Sequence, residues 1–205
     1  VLVLETNPPP DLPPPPPPPR QPKFVQQNYA TPQTPQSQVT ATYSSAQGAG
    51  NANILAIGWN DTTANLTNVS DSAGNVYQVA IPTFRGSGMS QAIYFAPNIK
   101  AGPNTVTVRF DQPAIYVDLR VTEYSGLAST NLVNAGSSGT GTGTTAASGA
   151  VTVGVTNELL FGAGMTTTTF TSAGPGFTQR VITSPDADII EDQVAITLGS
   201  FDATA

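Results

Sequence analysis

The chain of 205 residues has room for one large domain, or one domain with an appendage, and it contains neither histidine nor cysteine. That excludes a Ser-His-Asp or Cys-His centre, a zinc site built on those ligands, and a disulfide framework. Thirteen acids against seven bases give a net charge of -6, so a phosphate backbone would repel the chain and no nucleic-acid partner is expected.

Val1-Leu2-Val3-Leu4 opens the chain as an aliphatic run within Val1–Thr6, too short for a helix and too apolar to be left in water. Residues 1–7 are read as an apolar strand in want of a partner. The chain starts without Met or a basic leader, as a mature or trimmed product would. Eleven of the nineteen prolines follow between Pro8 and Pro22, including the unbroken run Pro13, Pro14, Pro15, Pro16, Pro17, Pro18 and Pro19. Proline lacks an N–H and fixes φ, so residues 8–22 form a solvated polyproline II spacer of roughly 45 Å at about 3.1 Å per residue.

From residue 23 onward the hydrophobic period is two. Expected strands are Ser37–Tyr43, Ile54–Trp59, Tyr77–Ile81, Ala92–Phe95, a run through Val106, Val108 and Phe110, and a run through Ile115, Val117, Leu119 and Val121. In the last two, Thr107, Arg109, Asp118, Arg120 and Thr122 occupy the alternate, polar face of half-buried strands. Val151–Val155, Glu158–Ala163 and Gln193–Leu198 complete the set. Turns are expected at Ala73-Gly74-Asn75, Ala101-Gly102-Pro103-Asn104 and Asp111-Gln112-Pro113. Gly136–Gly149 carries five glycines and no large apolar residue, so it reads as a mobile or edge connection. Thr166–Thr169 reads as an exposed strand, with an O-glycosylated patch as the alternative. No window carries a helical apolar stripe, and none approaches the roughly 18 apolar residues of a membrane span. Residues 23–205 are therefore an all-β domain, an antiparallel β-sandwich of jelly-roll type.

Several segments also resemble an uncharacterised group of secreted bacterial, acidobacteria-like β-sandwich domains. They are Asp71-Ser-Ala-Gly-Asn75 with Tyr77; Gln91–Ile99 leading to Gly102 and Asn104–Val108; Tyr116–Arg120 with Glu123–Leu127; and Gly176–Arg180 with Ile182–Ser184 and Asp188–Asp192. The resemblance spans residues 24–205, leaves out the proline run and the first residues, and implies a secreted β-sandwich without bringing any catalytic residue. Domains of that group continue past a segment similar to Gly199–Ala205 into one more apolar strand. The expectation is either a trimmed chain or a sandwich with an open groove.

Chemistry-bearing residues are few. Asp186, Asp188, Glu191 and Asp192 could supply oxygen ligands to Ca2+, although no EF-hand glycine or terminal glutamate follows, and a solvated hairpin tip accounts for them equally. Asp118 and Glu123 are the only plausible glycosidase pair, but their offset places them on opposite faces of a strand. No enzymatic activity is expected. Trp59, Tyr77 and Tyr94, with Tyr116 and Tyr124, could form a glycan-stacking platform, though Trp59 ends an apolar run suited to a core. Asn60-Asp-Thr62, Asn65-Leu-Thr67 and Asn68-Val-Ser70 match the N-glycosylation pattern, and Lys100, a conceivable isopeptide donor, sits before a turn.

The sequence therefore suggests a secreted, cell-surface structural subunit. Val1, Leu2, Val3 and Leu4 would act as a donor strand inserted into an identical neighbour, giving a head-to-tail homopolymer. The alternative from the same residues is a carbohydrate-binding or adhesive module tethered by its proline linker to a larger protein.

Overall fold

A computed structural model of the protein describes residues 21–205. The expected donor strand, Val1–Leu4, and the proline run Pro13–Pro19 lie outside the described residues. Within them the chain is all-β and antiparallel, with strands β1 (Lys23–Ala30), β2 (Gln36–Thr42), β3 (Ala52–Trp59), β4 (Leu66–Asp71), β5 (Gln78–Gly86), β6 (Met89–Ala96), β7 (Thr105–Ala114), β8 (Asp118–Ser125), β9 (Val151–Val153), β10 (Glu158–Gly164), β11 (Thr178–Ile182), β12 (Ile189–Ala195) and β13 (Gly199–Phe201). Among the described residues no helix is long and apolar enough to cross a membrane.

The central sheet has five strands in the order β1-β8-β3-β6-β5. One of its faces is covered by the three-stranded sheet β2-β7-β4, and the other by the three-stranded sheet β10-β12-β11. A small β13-β9 pair stands apart from these. The central sheet is thus sandwiched on both faces, and β3 shows why. Its sequence, Ala-Asn-Ile-Leu-Ala-Ile-Gly-Trp, is buried at every position, as a near-continuous apolar strand must be when neither face meets water. Leu55, Ile57 and Trp59 join Val106, Val108, Phe110, Leu119 and Val121 in the larger core. Trp59 meets Phe110 edge-on at 5.1 Å between ring centroids. On the opposite face Ile54, Phe95 and Tyr124 meet Leu159 and Phe161, while Ala56 meets Val181 and Ile190.

Strand β8 departs from its expected half-buried state. Leu119 and Val121 enter the larger core, but the alternate residues Asp118, Arg120, Thr122 and Tyr124 are also fully buried, beneath the β10-β12-β11 sheet. They are tolerated because they are paired. Arg120 donates through Nη1 to the carbonyls of Gly164 at 2.9 Å and Ile189 at 2.5 Å, and through Nη2 to Gln91 Oε1 at 2.9 Å. Its Nε lies 2.9 Å from Asp118 Oδ1, a close ion pair outside hydrogen-bond geometry, since neither atom has a hydrogen-bond partner. Thr183 donates to the other Asp118 oxygen at 2.6 Å.

Other expectations shift locally. The run from Ile115 breaks at Tyr116, whose φ is 45°, so β8 begins only at Asp118. Asp111-Gln112-Pro113 is not a turn but the end of β7, which reaches Ala114 opposite Gln36 across a register shift. Gln193–Leu198 is displaced, because β12 runs from Ile189 to Ala195 and leaves Ile196 and Leu198 exposed. Thr166–Thr169 is a bend rather than a strand, held by the Thr166 N–H donating to Asp188 and by a hydroxyl pair with Thr168. The turn at Gly74 forms as expected, with φ of 69° and a Gly74 N–H bond to the Asp71 carbonyl.

Candidate functional site

The two long flanks of the sandwich differ. At the first, β1 of the central sheet lies beside β2 of the covering sheet, and side chains stitch them together. Asn28 Nδ2 donates to the Thr42 carbonyl at 2.7 Å, Gln26 Nε2 donates to the Ser45 carbonyl at 3.1 Å, and the Ser45 N–H donates to Gln26 Oε1 at 3.0 Å. At the second flank β5 faces β4, and the covering sheet, with three strands against five, stops short. Val79 pairs with Tyr94 across the ladder and shares its face, yet Val79 is 49% exposed. Leu66, Val69 and Tyr94 are only partly buried against the larger core.

This second flank is clamped at two points. At one end Arg85 Nη2 donates to the Ala64 carbonyl and to Asn65 Oδ1, at 3.0 and 2.9 Å, and its guanidinium lies 5.7 Å from the Trp59 ring centre. At the other, the Tyr77 hydroxyl donates to Asp71 Oδ2 at 2.9 Å. Between the clamps, among the described residues, no hydrogen bond joins β4 to β5, and the outer edge of β4 is unpaired. The open stretch between them, residues 66–70, is the rest of β4.

The Asp71 clamp belongs to a polar network that makes one end of the sandwich rigid. Asp71 accepts from the Asn75 N–H and side chain and from Asn104 Nδ2, at 2.9, 2.8 and 2.8 Å. Asn104 also donates to Gln47 at 2.7 Å, Gln47 to Asn53 at 2.6 Å, and Asn53 to Tyr77 at 2.9 Å. Burial, with the Asp71 charge beside it, holds the Tyr77 phenol well above its ordinary range. Lys100 donates its backbone N–H to Asn75 and its ammonium to the carbonyls of Ala73 and Gly74. It therefore locks the exposed turn rather than facing a buried asparagine.

The structure does not bring the proposed calcium ligands together. Asp186 accepts from Gln33 at 2.8 Å, Asp188 from the Thr166 N–H at 2.9 Å, Glu191 from the Gly174 N–H at 2.7 Å, and Asp192 from Tyr124 and Arg180 at 2.6 to 2.8 Å. The alternation of β12 puts Glu191 on the face opposite Ile190 and Asp192. No group of three His, Cys, Asp or Glu among the described residues is arranged to hold a metal. Instead Asp188 joins the buried Asp118–Arg120 pair. Desolvation pushes its carboxyl up to about 7; the Arg120 charge opposes this, and Asp118 and Asp186 add to it.

Nor do the aromatic candidates form a platform. Trp59 is fully buried and belongs to the core; Tyr77 is tied into the polar network; and Tyr94 is half-buried against the same core. Tyr124 is also buried, its hydroxyl donating to Asp192. Asp118 and Glu123 do lie on opposite faces of β8. Asp118 is held by Thr183, and Glu123 by Gln26, the Gly48 N–H and Asn51. A groove of about 360 Å³, which shares Val79 with this flank, lies at the ends of β5 and β6, lined by Gln78, Val79, Phe95, Pro97 and residues 129–133.

The chain matches no family model, no curated protein and no solved structure. The site is thus read from its own residues. Sequence reasoning missed Leu66, Val69 and Val79 as an exposed edge. Leu66 and Val69 are three apart rather than two because β4 carries a register shift between Leu66 and Asn68, and this hid the strand. A break in period-two spacing beside an Asn-rich stretch was the only sign available.

Proposed function

We propose that the protein is a secreted structural subunit that assembles head to tail, the apolar segment of one copy completing a sheet of the next. The observation that carries this reading is the mismatch of the sheets: a covering sheet of three strands over a central sheet of five, with one flank stitched shut and the other open. An unpaired edge over a partly bare apolar floor invites strand addition. The same chain contains an aliphatic segment, Val1–Leu4.

The energetics are adequate. Two inward aliphatic side chains contribute about 3–6 kcal/mol at about 1.5–3 each, and ladder hydrogen bonds add to this. A proline spacer has few conformations to lose, so its docking cost is smaller than that of a Gly/Ser linker. The spacer also favours a neighbour. Its roughly 45 Å exceeds the roughly 19 Å that four strand spacings of about 4.8 Å place between β1 and β5 of the same sheet.

The contact is heterologous, one surface giving and another receiving, and such contacts propagate into filaments unless their rotation closes a ring. The expected result is polymers of the full chain by size exclusion and negative-stain microscopy, and monomers once residues 1–7 are removed. Monomers from both would overturn the reading.

A further inference from the structure

We infer that the receiving site is the outer edge of β4, and that its occupant is Val1–Thr6 of a second copy, lying as a fourth strand of the β2-β7-β4 sheet over Tyr94 and Val79. This rests on the assembly reading above and names the place where it happens.

The other edges are less suited. The outer edge of β1 is bridged to β2 by Asn28 and Gln26. Strand β5 contains Pro82, and a proline removes a ladder donor. On β10, the carbonyls of Ala163 and Gly164 already accept from Gln91 and Arg120. Strand β11 is shorter than β4, five residues against six. Of these strands, all among the described residues, β4 combines a proline-free edge with an apolar floor beneath the place where a further strand would lie.

Length and polarity both fit the occupant. Between the Arg85–Asn65 and Tyr77–Asp71 clamps the open edge is residues 66–70, or roughly 17 Å at about 3.3 Å per residue. The four aliphatic residues Val1–Leu4 fit within that length. Side chains of a strand alternate, so one aliphatic pair, Leu2 with Leu4 or Val1 with Val3, would cover the half-exposed Val79, and the other would face outward.

The absence of cysteine from the natural chain allows a direct test. Thr6→Cys would be paired in mixtures with Asn68→Cys on β4, Val25→Cys on β1, or Val133→Cys at the groove beyond β5. Each chain then carries one thiol, so oxidation should join the two different variants into a covalent dimer on non-reducing gels with Asn68→Cys only. Val79→Asp should raise the concentration needed for assembly at least ~10-fold, because docking would bury a carboxylate. Trp59 fluorescence would confirm that this variant remains folded. A covalent dimer of Thr6→Cys with Val25→Cys or Val133→Cys, or normal assembly of Val79→Asp, would overturn the β4 assignment while leaving assembly standing. An absence of polymers from the unmodified chain would remove both.

Discussion

Replacing Asp188 by asparagine isolates the group most out of place electrostatically. Asp188 is buried beside the Asp118–Arg120 ion pair, with Asp186 adding a further acid and the Thr166 N–H donating to it. Arg120 can balance only one carboxylate, and Asp118 already holds it. The folded carboxyl therefore titrates at about 7 against an ordinary value of 3.8. Because the folded value is the higher one, the folded chain holds a proton that the unfolded chain has released. Stability associated with this group is fully present below about pH 4, declines as pH rises, and is lost above about pH 7. The slope is about 1.4 kcal/mol per pH unit, or about 4 kcal/mol across the window. Asparagine keeps the acceptor for Thr166 and cannot ionise. Urea titrations at pH 5, 6, 7 and 8, followed by fluorescence of Trp59, the single tryptophan, would give the free energy of each chain. The difference, variant minus wild type, should rise steadily with pH up to about 7 and then level. Burial raises Glu191 in the same sense, but both chains share it and it cancels in the difference. A difference independent of pH would refute this account of the buried cluster.

Arg120→Met should cost about 3–5 kcal/mol by leaving Asp118 buried without a counter-charge, and adding Asp118→Asn should recover much of that loss in a double-mutant cycle of urea midpoints. Tyr124→Phe removes a 2.6 Å hydrogen bond to Asp192 and should cost about 1.5–3 kcal/mol, read from the same titration. Gly126 has φ of 79°, and a Cβ there would strike the Gln21 carbonyl, where the chain enters the domain, whereas Gly88, with φ of 83°, has open space around it. Both alanine variants pay a conformational cost of about 1 kcal/mol, so the larger drop in melting temperature for Gly126→Ala measures the steric clash. In the assembly assay, Asp at Leu2 and Leu4 should differ sharply from Asp at Val1 and Val3, since only one pair faces inward.

The strands readable from the sequence were those with unbroken alternation or an unbroken apolar run. Val106, Val108 and Phe110 located β7, Leu119 and Val121 located β8, and Ile54–Trp59 located β3. Strands β1, β4 and β11 escaped because each carries a register shift, between Phe24 and Gln26, Leu66 and Asn68, and Gln179 and Val181. One inserted residue moves the following side chains to the other face, and the period is lost. The apolar segment and proline run were plain as composition, but nothing in their residues indicates which edge would receive a strand.

By itself the sequence determined the all-β class, since period two in a chain with so few charges leaves no helical alternative, and it determined the chemistry that His and Cys would have supplied by omitting both. Tertiary structure alone decided where the polar residues went. Alternation assigns Asp118, Arg120 and Thr122 to the face opposite Leu119, but cannot say whether water or another sheet lies there. The β10-β12-β11 sheet covers that face, and the β2-β7-β4 sheet ends one strand early on the other. Both outcomes depend on how many strands each layer contributes, a quantity set by long-range pairing that local pattern does not encode.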